Sequence, residues 1–281
     1  MRARFLGTAA SEGYPDAFCG CENCRRAREL GGANLRHRSA LLIEDDLLID
    51  FGPDLLAASG AHGIALDRVA YCLQTHEHED HLHAANFLSR SPFCGVHDAP
   101  RLHYYATTGA IEVAQRGLGK RRDLLATEVG EALNLTIRPI EPFRSFAVGS
   151  YNVRTVLAAH DPALLCLLFL IERDGRTLFY ATDTGPLPQE TWAALAEWGV
   201  RCDVVIMDHT FGYGRPSTGH LNTEQFLAQA ARLRSSGLLA DDSRIYAHHI
   251  AHHSNPLHDE LVAQAAELGY LVAHDGLSIV I

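Results

Sequence analysis

Short apolar runs separated by polar loops dominate the pattern of hydrophobic positions along this chain. Runs of about four to eight residues rich in β-branched, leucine and aromatic side chains predict buried strands. The predicted strands lie, in chain order, at 4–7, at two segments within 39–51, and at 69–73, 92–97, 135–140, 146–148, 151–157, 165–172, 177–181, 204–207, 244–247, 270–273 and 277–281.

Helical spacing of apolar positions alternates with these strands. It predicts helices at 81–88, within 99–119, and at 187–198, 224–235 and 258–268. Strands come first and are followed by alternating strands and helices, and this order occurs twice. It predicts an α/β (α+β) fold in which two sheets pack face to face with helices outside. A length of 281 residues with 47% hydrophobic residues suits a single domain, 1–281.

The densest polar segment is 76–81 (HEHEDH), directly after the predicted strand 69–73. Imidazole and carboxylate are groups that hold Zn, Mn or Fe. Residues i and i+2 of an extended loop point the same way. His76 and His78 can therefore bind one ion, while Asp80 and His81 reach a second about 3.5–4 Å away. The alternative is a solvated loop, but nine of the 17 histidines fall within 76–83 and 248–258.

Other candidate ligands follow predicted strands. His160 comes after strand 151–157, where a third ligand is expected, and Asp183 lies on a loop tip suited to bridge two ions. Asp50 ends the first hairpin before Gly52. It is expected either to orient a ligand imidazole or to cap a turn.

Three of the seven cysteines are clustered as C-x-C-x-x-C at Cys19, Cys21 and Cys24. Three thiols can face one tetrahedral zinc ion, which needs a fourth ligand from elsewhere. A redox pair or unengaged thiols are the alternatives. The odd count argues against a disulfide framework, and the single cysteines are expected in the core: Cys72, Cys94, Cys166 and Cys202.

Composition limits the partners and the location. The 24 basic against 34 acidic residues give a net charge of -10, which argues against a nucleic-acid or anionic-membrane surface. The longest apolar run, 163–171, is far shorter than the roughly 20 residues of a membrane-spanning helix. No apolar stretch of a signal peptide precedes Ser11. We therefore expect a cytoplasmic protein.

The motif His-x-His-x-Asp-His, followed by an isolated histidine, an Ala-Thr-Asp-Thr-Gly segment and a late histidine, resembles the metallo-β-lactamase superfamily over nearly the whole chain. This resemblance implies an αββα sandwich of two mixed sheets flanked by helices, with two divalent ions (Zn or Mn) at one edge. The ligands it implies are His76, His78 and His160 for the first ion, Asp80, His81 and His249 for the second, and Asp183 as the bridge.

The segment 6–15 leading to the cysteines is similar to the PhnP branch, the phosphoribosyl cyclic phosphodiesterases. In that branch a histidine of a His-Ile-x-His motif completes a structural zinc site, which here implies Cys19, Cys21 and Cys24 with His252. This chain departs from the branch in having Ala9-Ala10 where glycines are usual. His248 and His253 flank the motif, and a coenzyme-biosynthesis branch carries a similar thiol cluster.

These assignments imply a phosphodiesterase for small, cyclic phosphodiesters that acts through a metal-bridging hydroxide. The candidate catalytic residues are Asp80, as a metal ligand, and His220, as the general acid that protonates the leaving alkoxide. A surface loop histidine is the alternative for His220, and His209 is the second choice of acid.

Two other functions stay open at this point. One is a different hydrolase on the same fold: an RNA-processing enzyme, a thioesterase, a lactonase or a β-lactamase. The other is an accessory protein of cofactor biosynthesis. The expected partner is a small anionic phosphodiester, with neither nucleic acid nor membrane, and a homodimer stays open.

Overall fold

The computed structural model describes residues 1–125 and 129–281. The strands of this part of the chain are β1 (Arg2–Gly7), β2 (Ala40–Ile43), β3 (Leu47–Ile49), β4 (Tyr71–Leu73), β5 (Leu102–Ala106), β6 (Val129–Gly130), β7 (Leu135–Pro139), β8 (Ser145–Val148), β9 (Tyr151–Leu157), β10 (Leu167–Arg173), β11 (Arg176–Ala181), β12 (Cys202–Asp208), β13 (Leu239–His248), β14 (Leu271–Val272) and β15 (Ser278–Val280). The α-helices are α1 (Glu22–Leu30), α2 (Leu55–His62), α3 (Ala85–Ser89), α4 (Thr108–Gly117), α5 (Gln189–Trp198), α6 (Thr223–Ser235) and α7 (His258–Leu268).

The strands form two mixed sheets. The first has the order β15-β1-β2-β3-β4-β5-β7-β6, and the second has the order β14-β13-β12-β11-β10-β9-β8. Strands β3, β4, β5 and β7 are parallel, as are β11 to β14. The carboxyl ends of parallel strands meet at one sheet edge, so the loops after β11, β12 and β13 lie together in the second sheet. The loop after β4 of the first sheet meets them, since His81 contacts Asp183.

Successive side chains of each strand point to opposite faces of its sheet, and this alternation produces three apolar layers. Phe169 and Ile171 of β10 face the first sheet in the central layer, whereas Leu168 and Leu170 face helices α5 to α7. A third layer packs the outer face of the first sheet against α2, α3 and α4. Strands with both faces buried explain why the sequence shows near-continuous apolar runs. The predicted αββα sandwich is confirmed.

Some local predictions are wrong. The predicted strand at 92–97 is a short 3-10 turn, Pro92–Cys94, that leaves Cys94 exposed. The strand that pairs with β4 is β5 instead. Helix α1 was not predicted because it is mostly polar and buries only Cys24 and Ala27. The two C-terminal segments, 270–273 and 277–281, are also expected from the sequence to close one sheet, but β14 and β15 belong to different sheets.

Within the described ranges, no helix is both long enough and apolar enough to cross a lipid bilayer.

Candidate metal centre

Three imidazoles meet where the two sheets present their loops. Nδ1 of His78 lies 3.0 Å from Nε2 of His76 and 3.0 Å from Nε2 of His160. His76 and His78 come from the loop after β4, and His160 comes from the loop after β9. A face of three imidazoles suits a divalent transition metal with a further position open to water or substrate. The structure thus brings together the side chains predicted for the first ion.

A second group of ligand atoms lies beside the first and shares Asp183 with it. Nε2 of His81 lies 3.2 Å from Oδ2 of Asp80 and 2.7 Å from Oδ2 of Asp183. Nε2 of His249 lies 3.1 Å from Oδ1 of Asp183. Oδ2 of Asp183 is also 3.3 Å from Nε2 of His76. One carboxylate therefore stands between both groups, in the place predicted for a bridging ligand.

Each ligand imidazole has its second nitrogen held by an oxygen acceptor. Nδ1 of His81 donates to Oδ2 of Asp50 at 2.7 Å, so Asp50 orients a ligand imidazole. Such partners fix the tautomer of a metal-binding histidine and leave its other nitrogen free for the metal. The remaining pairs are His76 Nδ1 with Thr75 Oγ1 (2.9 Å), His78 Nε2 with Asp161 Oδ2 (3.3 Å), His160 Nδ1 with the Gly219 carbonyl (3.1 Å) and His249 Nδ1 with Thr210 Oγ1 (2.8 Å).

The polar atoms left over at this centre fit bound cations. Nε2 of His81, Nε2 of His249 and Oδ1 of Asp183 are buried and make no well-aligned hydrogen bond among the described residues, although His81 and His249 lie 2.7 and 3.1 Å from the Asp183 carboxylate. Buried polar atoms are nearly always satisfied, so these three require a further partner. Burial alone would raise the pKa of Asp183, but the imidazoles of His249 and His81 outweigh it and hold that pKa well below its usual value. An ionised carboxylate among imidazoles is a suitable ligand set for divalent ions.

The backbone is strained at three positions of this centre. Asp50, Asp183 and His249 have φ values of 67°, 56° and 59°, in the left-handed region. This conformation costs a non-glycine residue about 1–3 kcal/mol and persists where the surroundings enforce it. Each of the three lies just after a strand, β3, β11 or β13. The strain is therefore concentrated at the turns that carry the ligands and their orienting carboxylate.

His220 lies against the metal centre and is paired with a buried carboxylate. Its Nδ1 donates to Oδ2 of Asp208 at 2.9 Å and lies 3.5 Å from Oδ1 of Asp183. Its ring is stacked on that of His249, with 5.6 Å between centroids. Burial alone would lower the pKa of His220, but Asp208 outweighs burial and raises it to about 9. This environment favours an imidazole that carries a proton.

Asp208 is the residue at this site that sequence reasoning missed. It ends β12, whose parallel neighbour β11 leads to Asp183, and this shared position was the available signal. Asp208 also accepts a hydrogen bond from Thr210 Oγ1 at 2.9 Å, which connects it to the partner of His249. The network depends on contacts between loops distant in sequence, which spacing alone does not reveal.

His209, the second choice of general acid, is not brought to the centre. It is fully buried, and its Nδ1 lies 2.9 Å from Oδ1 of Asn255. Its Nε2 is 3.2 Å from the hydroxyls of Thr223 and Tyr270. Both ring nitrogens are therefore occupied within the protein interior.

The four histidines at 248–253 separate into different environments. His248 is buried, and its Nδ1 and Nε2 contact Thr182 Oγ1 and the Gly7 carbonyl at 2.8 and 3.0 Å. Burial lowers the pKa of His248 to about 3, so it stays neutral. Only His249 of this group joins the centre, whereas His252 faces the cysteines and His253 is half exposed.

The predicted zinc ligands Cys19, Cys21, Cys24 and His252 also converge. Their ligand atoms lie within 4.8 Å of one another, and Cys21 Sγ is 3.7 Å from Nδ1 of His252. All three cysteines are free thiols. Cys21 caps α1, and the backbone N–H of Cys24 is the main cause that lowers the pKa of the Cys21 thiol to about 6. Thiolate is the form that binds zinc.

We expect the Cys21→Ala variant to lose stability more than catalysis. A structural zinc ion contributes its binding energy to folding, so its loss should lower the melting temperature by on the order of 10 °C, or roughly 4 kcal/mol. Thermal unfolding of the zinc-loaded variant measures this. The control is Cys94→Ala, which removes an exposed thiol outside the cluster. Equal melting temperatures for the two variants would contradict a closed Cys3His site.

Comparison with known families identifies the fold. A family model described as a β-lactamase superfamily domain matches residues 46–250, which is more than half of the chain. The chain belongs to the β-lactamase superfamily. The resemblance predicted from the sequence is thereby confirmed. The matched range includes all the loops that carry candidate ligands, from 76–81 to His249.

Individual relatives match this chain over nearly its whole length. Coenzyme PQQ synthesis protein B of Klebsiella pneumoniae (strain 342) is 26% identical over an alignment of 322 positions that covers 99% of this chain and 98% of that protein. A diphosphatase from the PhnP family has a TM-score of 0.76 at 20% identity, covering 99% and 97% of the two chains. Zn(2+)-bound PqqB from Methylobacterium extorquens has a TM-score of 0.75 at 21% identity and full coverage of both chains. These similarities extend to the N-terminal segment that carries the cysteines.

Proposed function

We propose that this protein is a dinuclear-metal-dependent hydrolase that acts on small, cyclic phosphodiesters. The observation that carries the proposal is the position of Asp183 between two complete ligand groups, with the His220–Asp208 pair against the same carboxylate. A site that only stores metal has no need of a protonatable imidazole beside the bridging ligand. The similarity of the fold to that of a diphosphatase from the PhnP family supports chemistry at phosphorus.

The proposed cofactors are two divalent ions, Zn or Mn, at the centre and one structural zinc at the cysteines. Divalent ions held in this way supply Lewis acidity that activates water and offsets charge on a phosphoryl oxygen. The chain's own contribution is to fix the ligands: Asp50, Thr75, Asp161 and Thr210 hold the imidazoles in one tautomer. Loss of such an orienting partner costs about 10–100-fold in metal affinity or activity.

The proton for the leaving group comes from His220. Because Nδ1 of His220 donates to Asp208, Nε2 is the atom that can present a proton to a departing alkoxide. Asp208 stabilises the charged imidazole before transfer and keeps the ring oriented after it. Phe211 packs edge-on against the His220 ring, with 5.3 Å between centroids, and shields one side of it.

A cleft of ≈ 780 Å³ lined in part by Phe211 supports the proposal that the substrate is an anion. Arg215 lines this cleft, is exposed, and has neither an ion pair nor a hydrogen-bond partner within ranges 1–125 and 129–281. The cleft also carries the hydroxyl of Thr218, two residues before His220. In a protein with a net charge of -10, the unpaired guanidinium of this cleft, which is also lined by the Phe211 that contacts His220, is suited to bind a phosphate or carboxylate of the substrate.

We expect Arg215→Ala to raise KM about tenfold with little change in kcat, because a charge-assisted contact made equally in ground and transition states affects binding alone. Steady-state kinetics with an anionic phosphodiester measures the effect. Arg68→Ala is the matched control, since Arg68 is also exposed and has no partner in the part of the chain that the structure describes. If both variants behave alike, Arg215 has no role in substrate binding.

A role in coenzyme synthesis is the second candidate function. It is favoured by the similarity of the full chain to coenzyme PQQ synthesis protein B. Such a role requires the protein to act on, or hold, an intermediate rather than a phosphodiester.

A turnover screen tests the two candidates. Protein loaded with Zn or Mn is incubated with cyclic phosphates, linear phosphodiesters, thioesters and lactones, and protein treated with chelator is the control. Metal-dependent hydrolysis that is fastest with a cyclic phosphate is the expected result. Fastest turnover of a thioester or lactone would replace the proposed substrate class, and no turnover of any class by fully metallated protein would favour the coenzyme-synthesis role.

A further inference from the structure

A third group of metal-binding side chains lies outside both centres described above. It consists of His37, in the segment before β2, His62, at the end of α2, and Asp275, between β14 and β15. One ligand atom of each residue lies within 4.8 Å of the others. The group shares no residue with the dinuclear centre or the cysteine cluster. It joins an N-terminal segment, a helix end and a C-terminal turn that are far apart in sequence.

The carboxylate of this group, Asp275, is buried and is held in one orientation by hydrogen bonds. Asp275 Oδ2 accepts from the backbone N of His37 at 2.6 Å and lies 2.8 Å from Nδ1 of His37. Its Oδ1 accepts from Thr8 Oγ1 at 2.7 Å, and Thr8 Oγ1 in turn accepts from the buried Arg36 guanidinium at 2.8 Å. These contacts fix the position of the carboxylate without occupying His62.

Nε2 of His62 lacks a hydrogen-bond partner within the described part of the chain, as does Nε2 of two proposed metal ligands. Its Nε2 is buried and has no hydrogen-bond partner among the described residues. The other imidazole nitrogens in this condition belong to His81 and His249, both at the dinuclear centre. The ring is held edge-on to that of His37, with 6.1 Å between centroids. A buried nitrogen without a partner is costly, and a cation would satisfy it.

The backbone next to Asp275 is shaped around His62. Gly276 has a φ of 81°, and a Cβ added there would lie 2.6 Å from Nδ1 of His62. A glycine at this position lets the imidazole lie directly against the turn that carries the carboxylate. The close approach therefore depends on a residue without a side chain.

We propose that His37, His62 and Asp275 form a third metal site that binds a zinc-class divalent ion. Two imidazoles and one carboxylate are a ligand set that zinc accepts, with the fourth position open to water. The side chain of His37 is 26% exposed, so an ion can enter from solvent. The bound ion joins the N-terminal segment and the C-terminal turn to α2, and its role is to stabilise the fold rather than to hydrolyse substrate.

Zinc counting on the whole protein tests the site. Wild-type protein and the variants His62→Gln and Asp275→Asn are stripped with chelator, refilled with Zn2+ and desalted, and the bound zinc per chain is measured by elemental analysis. We expect each variant to hold one equivalent of zinc less than wild type. His97→Gln, which removes an exposed histidine elsewhere, is the matched control and should equal wild type.

Anomalous diffraction of wild-type crystals at the zinc edge gives a measurement that no variant can disturb. A peak between His37, His62 and Asp275 is the expected result. Equal zinc content in His62→Gln and wild type, or the lack of a peak at this position while the other zinc positions are filled, would overturn the proposal. Neither readout uses turnover, so the outcome is independent of whether the protein is a phosphodiesterase.

Discussion

Replacing Asp183 with asparagine is expected to lower kcat/KM for a phosphodiester by at least about 10²–10³-fold, the effect of removing one charge-stabilising group from an active site. The amide keeps the shape of the side chain but loses the negative charge that bridges the two ligand groups. Asparagine also tolerates the left-handed backbone of this position, φ 56°. The variant should therefore fold while its metal content and turnover fall.

A matched control separates the loss of charge from the change of turn residue. Asp174 is likewise a left-handed aspartate, φ 54°, in the exposed turn between β10 and β11. Asp174→Asn should keep full activity. Circular dichroism and elemental analysis of both variants accompany the kinetics. Retention of wild-type activity by metal-loaded Asp183→Asn would remove this carboxylate from the proposed bridging role.

Replacing His220 with glutamine is expected to lower kcat by about 10²–10⁴-fold for a substrate with an alkoxide leaving group, the usual contribution of general acid catalysis. The loss should be much smaller for a nitrophenyl ester, because that leaving group departs without needing a proton. Since a general acid must be protonated, the wild-type rate on the alkyl ester should fall as pH rises through the pKa of His220, which Asp208 shifts above its ordinary value.

The comparison of leaving groups is the decisive measurement for His220. A structural role would lower both rates equally, whereas proton donation lowers only the rate with the poor leaving group. His83→Gln is the control, because His83 is exposed and lies just after the metal-binding loop without being a ligand. Equal losses for the two esters in His220→Gln would exclude the acid role.

The sequence predicts every candidate ligand of the centre from local signals except His249. Segment 76–81 is dense in ligands and follows a short apolar run, and His160 and Asp183 likewise come just after β-rich segments. These are local signals, and the structure places all these side chains together. His249 could be chosen among four neighbouring histidines only through the family resemblance, because its position depends on where β13 ends and on the left-handed turn that follows.

Other features depend on tertiary contacts that no local pattern encodes. The bond between Asp208 and His220 joins the end of β12 to a loop 12 residues further along the chain. Helix α1 is mostly polar because it buries only Cys24, toward the cysteine cluster, and Ala27, rather than a wide core face. The error at 92–97 arose because a short apolar stretch interrupted by Gly95 fits a strand and a turn equally well.

Each of the two predicted metal clusters takes one ligand from the same short segment, His249 and His252, and only Ile250 and Ala251 lie between them. Both of these residues are fully buried. The backbone of Ile250 is bonded to the N-terminal segment through Thr8 and Ala10, at 2.8 and 3.2 Å. Oxidation of the thiols would therefore release the N-terminal segment from a turn that only two residues separate from His249, a proposed ligand of the hydrolytic ions. A protein built in this way would lose heat stability in an oxidising environment while it keeps most of its turnover at low temperature, and a thiol reductant followed by zinc would restore the stability.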